Sequence, residues 1–150
     1  MGAVIGLITG SWRKSRYYSL ALVTLLAVGI LLIAGCQETS QIIEDITVQE
    51  AFDLIESEQG NPPFAIIDVR TPEEYAEGHL ENAVNIDFNA DDFEDRINEL
   101  NRDNTYVVYC RSGVRSGSAL DAMRQLGFSE VYNVLGGIID WTDAGFPVVE

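Results

Sequence analysis

Compact apolar runs and helical apolar stripes alternate along residues 45–148. Residues 64–69 (FAIIDV), 83–86 (AVNI), 105–110 (TYVVYC) and 130–135 (EVYNVL) are short and dense in apolar side chains. That length and density predict strands, the first of them buried on both faces. Residues 45–48 (DITV) are more polar and predict a short edge strand. Between these runs the apolar residues change to a helical spacing. Val48, Ala51, Phe52, Leu54 and Ile55 share one stripe behind a capping box of Thr47 and Glu50, and Gly60, Asn61, Pro62 and Pro63 break it. Thr71 caps a short second helix with Pro72 at its first position and Glu74 at its third, and Gly78 ends it. Residues 91–100 place Phe93, Ile97 and Leu100 on one face. Residues 116–126 do the same with Ala119, Leu120, Met123 and Leu126, closed by Gly127. After Gly136 and Gly137, residues 138–146 (IIDWTDAGF) predict a last short helix with Trp141 turned inward.

Strands and helices in alternation, joined by short connections, predict an α/β domain, doubly wound about a central, mainly parallel sheet flanked by helices. Ligands in such sheets bind beyond the carboxyl ends of the strands. Cys110 ends a central strand there.

The start of the chain follows another pattern. Arg13, Lys14 and Arg16 precede residues 20–35, which carry no charge and a single polar side chain, Thr24. A basic segment followed by an apolar one is the layout of a secretory signal. Its length is also near the lower limit of about 17 residues for a membrane-spanning helix. Residues 32–36 (LIAGC) resemble the lipobox of bacterial lipoproteins, in which the cysteine thiol is acylated and the chain is cut just before it. The resemblance implies residues 1–35 as a signal peptide, Cys36 as the lipidation site and residues 37–45 as a tether. The globular part is then expected at 46–149, outside the cytoplasmic membrane and anchored by the lipid to the cell membrane or the outer membrane.

Charge divides at the same place. The chain has nine basic and 24 acidic residues, and three of the basic ones precede Gly35 while no acidic residue does. Residues 36–150 therefore carry six basic and 24 acidic side chains, a net of −18, with no lysine. Such a surface repels nucleic acid at long range, so no nucleic-acid partner is expected.

The chain has two cysteines. With Cys36 assigned to lipid, Cys110 has no disulfide partner within the chain. It is followed by Arg111, Ser112, Gly113, Val114 and Arg115. Gly113 permits backbone angles that other residues resist, and successive N–H groups in such a loop can form an anion nest. A helix N-terminus and two arginines add positive charge. All of these favour thiolate, the reactive form of cysteine.

Residues 110–116 (CRSGVRS) resemble the active loop of the rhodanese family of sulfurtransferases. Residues 66–86 (IIDVRTPEEYAEGHLENAVNI) and 126–148 (LGFSEVYNVLGGIIDWTDAGFPV) resemble its Asp-Val-Arg and closing Gly-Gly and Trp segments. The resemblance implies that Cys110 takes a sulfane sulfur from a small anionic donor such as thiosulfate, becomes a persulfide, and passes the sulfur to a thiophilic acceptor or protein thiol. Residues 111–115 would supply the N–H groups that stabilise the persulfide, and Arg111 and Arg115 would attract the donor. No metal or organic cofactor is implied. Phosphatases of the same fold have a loop one residue longer than Cys110 to Arg115, which points away from phosphate. Asp68 and Arg70 match a mostly structural motif at the pocket rim, with Arg70 expected to pair with a carboxylate such as Glu74. His79 falls in a structural turn. Glu81, Asn82 and Asp87 depart from the family's usual Pro-Gly and proline. An extracytoplasmic sulfur carrier or protein-interaction module with little turnover of its own is the second reading, and a redox relay with a partner's thiol the third.

Overall fold

β-Branched and aromatic residues dominate the central strand β4 (Thr105–Tyr109), and alternate residues turn to opposite faces. Tyr106 and Val108 enter one hydrophobic core, and Val107 and Tyr109 enter another. The computed structural model describes residues 40–58 and 63–150. The expected signal peptide, Cys36, residues 37–39 of the tether and the break at residues 60–62 lie outside the described residues.

The element order is β1 (Ile42–Ile46), α1 (Val48–Glu58), β2 (Phe64–Asp68), α2 (Pro72–Ala76), β3 (Ala83–Asn85), α3 (Phe93–Asn98), β4, α4 (Val114–Gln125), β5 (Glu130–Val134) and α5 (Gly137–Asp143). The five strands form one sheet in the order β1-β5-β4-β2-β3, and every pairing is parallel. A core under α3 and α4 contains Ile67, Ile97, Met123, Phe128 and Val131. The opposite core, under α1 and α5, contains Ala51, Ile55, Leu80, Val134 and Trp141. This is the expected doubly wound α/β architecture.

The chain leaves β2 toward one face and β4 toward the other. Tyr75 of α2 packs on the Trp141 side, while Ala119, Leu120 and Met123 of α4 pack on the Ile97 side. A crevice opens between the carboxyl ends of two adjacent strands whose following helices depart in this way. Cys110 is the first residue after β4 and lies at that crevice.

Several boundaries differ from expectation. The first strand spans Ile42–Ile46 rather than residues 45–48, so residues 42–45, expected as tether, belong to the sheet. Pairing of this segment with β5, from Ile42 opposite Glu130 to Ile46 opposite Val134, supplies backbone hydrogen bonds that its polar side chains do not advertise. The Thr47–Glu50 capping box forms as expected, with Thr47 N donating to Glu50 Oε2 at 2.8 Å and Glu50 N to Thr47 Oγ1 at 3.2 Å. The third helix is shorter than residues 91–100, spanning Phe93–Asn98. The fourth starts at Val114, two residues before Ser116, because Gly113 takes the N-cap position in a left-handed conformation at φ 88°. Asn82, where the family's usual glycine is missing, has φ 63°. Asparagine tolerates that region better than most residues, so the turn into β3 keeps its left-handed step.

Candidate active site

Cys110 continues the alternation of β4 and faces the α4 side, where it is 1% exposed. Its Sγ accepts a hydrogen bond from Gly113 N at 3.2 Å and one from Ser116 Oγ at 3.4 Å. Ser116 is fully buried in the first turn of α4. Burial pushes the Cys110 thiol up, but hydrogen bonds from the Ser116 hydroxyl and from the Ser116, Ser112 and Gly113 amides outweigh it. The thiol lies below the ordinary cysteine range. The cysteine is thus shifted toward thiolate chiefly by short-range hydrogen-bond donors.

The carbonyl groups of the loop are turned the other way. Ile138 N donates to Cys110 O at 2.9 Å and Ile139 N to Arg111 O at 3.2 Å. These N–H groups belong to the first turn of α5 and would otherwise lack partners. With the carbonyls held by α5, the amides of Ser112 and Gly113 are free to face the sulfur. The approach depends on Gly137, which has φ 58°. A Cβ there would lie 2.4 Å from Cys110 O and 2.7 Å from Arg111 C. Gly113 is constrained from the same side, since a Cβ would lie 3.2 Å from Gly136 N.

The arginines divide their work differently from expectation. Arg70 pairs with Asp68, not Glu74: Nη2 lies 2.6 Å from Asp68 Oδ2, and both residues are buried. The same Nη2 donates to Gly78 O at 2.6 Å, tying the end of β2 to the turn after α2. Arg70 also lies 5.7 Å from the centre of the Tyr109 ring. Glu74 instead binds Arg115 in a two-pronged pair, with Nη1 to Oε2 at 2.7 Å and Nη2 to Oε1 at 2.8 Å. Hydrogen bonds from Arg115 hold the Glu74 carboxyl down at about 2 despite partial burial. Arg115 sits in α4 rather than in the loop, and its charge is matched. Arg111 is exposed and has no ion-pair partner among the described residues. Ser112 and Val114 are also exposed, Val114 to 74%.

An open cleft of about 320 Å³ runs beside the loop, lined by Arg70, Glu74, Glu77, Arg111, Ile138 and Ile139 among others. His79 is held in a structural turn: it exchanges backbone hydrogen bonds with Val149 at 2.8 Å, and its ring stacks on Tyr75 at 3.7 Å. Ser116 and Glu74 were not expected at the site. Both had a local signal: Ser116 falls three residues after a glycine N-cap, and Glu74 is the third residue of a capping box whose carboxylate has a second oxygen to spare. No group of three or more potential metal ligands occurs among the described residues.

The Rhodanese-like domain family matches residues 47–144, about two thirds of the chain, and the protein belongs to that family. The chain is 38% identical over 84 residues to a protein named Sulfurtransferase from Allochromatium vinosum, covering 56% of this chain and 77% of that one. It is 34% identical over 105 residues to the Putative sulfur carrier protein YrkF of Bacillus subtilis, covering 70% of this chain and 54% of that protein, so the match spans about half of YrkF. The fold is similar to the crystal structure of a rhodanese-related protein from Thermoplasma volcanium. The TM-score is 0.61 at 32% identity, over 71% of this chain and 97% of that one.

Two substitutions test this geometry. Gly137→Ala is expected to destabilise the fold by at least about 2 kcal/mol in chemical denaturation, because a left-handed alanine is strained and its Cβ must displace the Cys110 carbonyl. Ser116→Ala is expected to raise the pH midpoint of Cys110 alkylation by iodoacetamide and to slow the reaction at neutral pH. An unchanged midpoint would show that the Ser116 hydroxyl does not stabilise the thiolate.

Proposed function

We propose that the domain is a sulfurtransferase in which Cys110 carries the sulfur. The observation that supports this reading best is the Cys110 sulfur, which accepts hydrogen bonds from Gly113 N and Ser116 Oγ at the carboxyl end of β4. With thiosulfate as donor, the thiolate attacks the outer, sulfane sulfur. A new S–S bond forms to Cys110, the donor S–S bond breaks, and sulfite leaves with the electron pair. The product is a Cys110 persulfide anion. The amides of residues 112 and 113 then face the negative charge at no cost in reorganisation. A thiophile next attacks the outer sulfur. Cyanide leaves as thiocyanate, or a thiol leaves as a new persulfide, and the Cys110 thiolate returns. The steps use no metal and no organic cofactor.

Arg111 stands exposed at the mouth and is the cation that meets an anionic donor. Asp68 and Arg70 brace the turn behind the cleft. The sulfur-carrier reading is favoured by the similarity to YrkF and by the acidic surface, which slows the approach of small anions. The two readings share the persulfide and differ in turnover.

Thiosulfate:cyanide transfer tests the proposal. Cys110→Ala is expected to lose at least about a thousandfold in kcat, as expected when a nucleophile is removed. Wild-type turnover in that variant overturns the mechanism. A one-sulfur mass gain on Cys110 with negligible turnover favours the carrier.

We also propose that Cys36 is lipidated and tethers the domain to a membrane outside the cytoplasm, on the strength of residues 32–36 (LIAGC). Intact mass of the protein extracted from membranes is expected to begin at Cys36 and to include acyl chains. A mass that retains residues 1–35 overturns cleavage.

A further inference from the structure

The last arginine of the active loop is already occupied. Arg115 gives both guanidinium prongs to Glu74, so the pair carries no net charge. The other charged groups acting on Arg115 are the Cys110 thiolate and Asp87, and Arg70 acts on Glu74. Arg70 is itself matched by Asp68. Arg111 is therefore the cation left for a donor at the mouth, in a domain whose residues 36–150 carry a net of −18.

Glu74 reaches Arg115 from the far side of the crevice. It sits at the third position of α2, where its Oε2 also accepts from Thr71 N at 3.1 Å. That second bond fixes the carboxylate. The ion pair bridges the elements that follow β2 and β4, and its Glu74 lines the cleft beside the loop. A thiosulfate dianion approaching Cys110 meets one uncompensated guanidinium rather than two.

We propose that Glu74 is a specificity-determining positioning residue: by cancelling the Arg115 charge beside Cys110, it tunes the site toward sulfane donors with one negative charge, such as a thiosulfonate or a persulfide, over dianionic thiosulfate. The proposal rests on the sulfur-transfer reading above. These donors react alike. The Cys110 thiolate takes the outer sulfur, and sulfite leaves from thiosulfate, a sulfinate from a thiosulfonate or a thiolate from a persulfide, each with the electron pair of the broken S–S bond.

Glu74→Gln tests it. Glutamine still closes a capping box, so the cap at Thr71 is kept while the charge is lost. The added positive charge acts twice as strongly on a dianion as on a monoanion. The kcat/KM for thiosulfate is expected to rise roughly tenfold and that for methanethiosulfonate roughly threefold, mainly through KM, with both gains shrinking as salt is added. Asp103→Asn, at the opposite end of β4, adds the same charge and is expected to leave the donor preference unchanged. Arg115→Gln is expected to move the preference the other way, and it serves if Glu74→Gln does not fold. Equal changes for the two donors, or a change insensitive to salt, would overturn the assignment.

A second readout needs no sulfur transfer. The ratio of Cys110 alkylation by iodoacetate to that by iodoacetamide is expected to rise severalfold in Glu74→Gln. If wild-type protein forms no persulfide with either donor, the sulfur-transfer reading fails. An unchanged alkylation ratio then overturns the role of Glu74 on its own.

Discussion

The site depends on the close approach of α5 to the backbone of Cys110. Two otherwise unpartnered amides at the start of that helix take the carbonyls of Cys110 and Arg111. This turns the peptide units after the cysteine so that their N–H groups look toward the sulfur. The approach is possible only because residue 137 lacks a side chain. A single missing Cβ thus orients a loop that is distant from it in sequence. The hydrogen bond from Gly113 N to the buried Cys110 sulfur depends on that contact, and Ser116 at the start of α4 adds a second.

The sheet explains why these parts meet. Parallel pairing of β5, β4 and β2 brings their carboxyl ends to one edge. β5 delivers Gly136 and Gly137, β4 delivers Cys110, and β2 delivers Asp68 and the turn to Glu74. The buried Asp68–Arg70 pair then joins the end of β2 to Gly78. A buried charge pair of this kind adds little net stability, but losing one partner strands the other in the interior. Its contribution here is to hold the turn that presents Glu74.

Much of this was legible in the amino-acid sequence. Dense apolar runs marked four of the five strands, and Cys110 followed by two arginines and a glycine marked the reactive loop. The edge strand was less legible because Glu44 and Asp45 mask it; its stability comes from pairing to β5, which no local pattern reports. The start of α4 was misplaced because a left-handed glycine can cap a helix as well as end one. Glu74 was expected to meet Arg70, whereas the fold gives it to Arg115. Glu74 is four residues from Arg70, a spacing that invites pairing along a helix, yet Arg70 lies before α2 and turns back to Asp68. The Glu74–Arg115 pair is decided by the crevice between β2 and β4, and so by a contact between residues far apart in the chain.

The depth of the cysteine has a consequence for regiochemistry. A persulfide has two sulfur atoms that a nucleophile can attack. Attack on the outer one moves sulfur onward; attack on the inner one, with the outer sulfur protonated, expels hydrosulfide and leaves the protein joined to its acceptor. The inner atom would be Sγ of a residue that is 1% exposed, enclosed by Ser116 and the loop amides. The outer atom would stand about 2 Å farther along the bond. In the proposed intermediate the fold therefore shields the inner sulfur, so that access favours attack on the outer one.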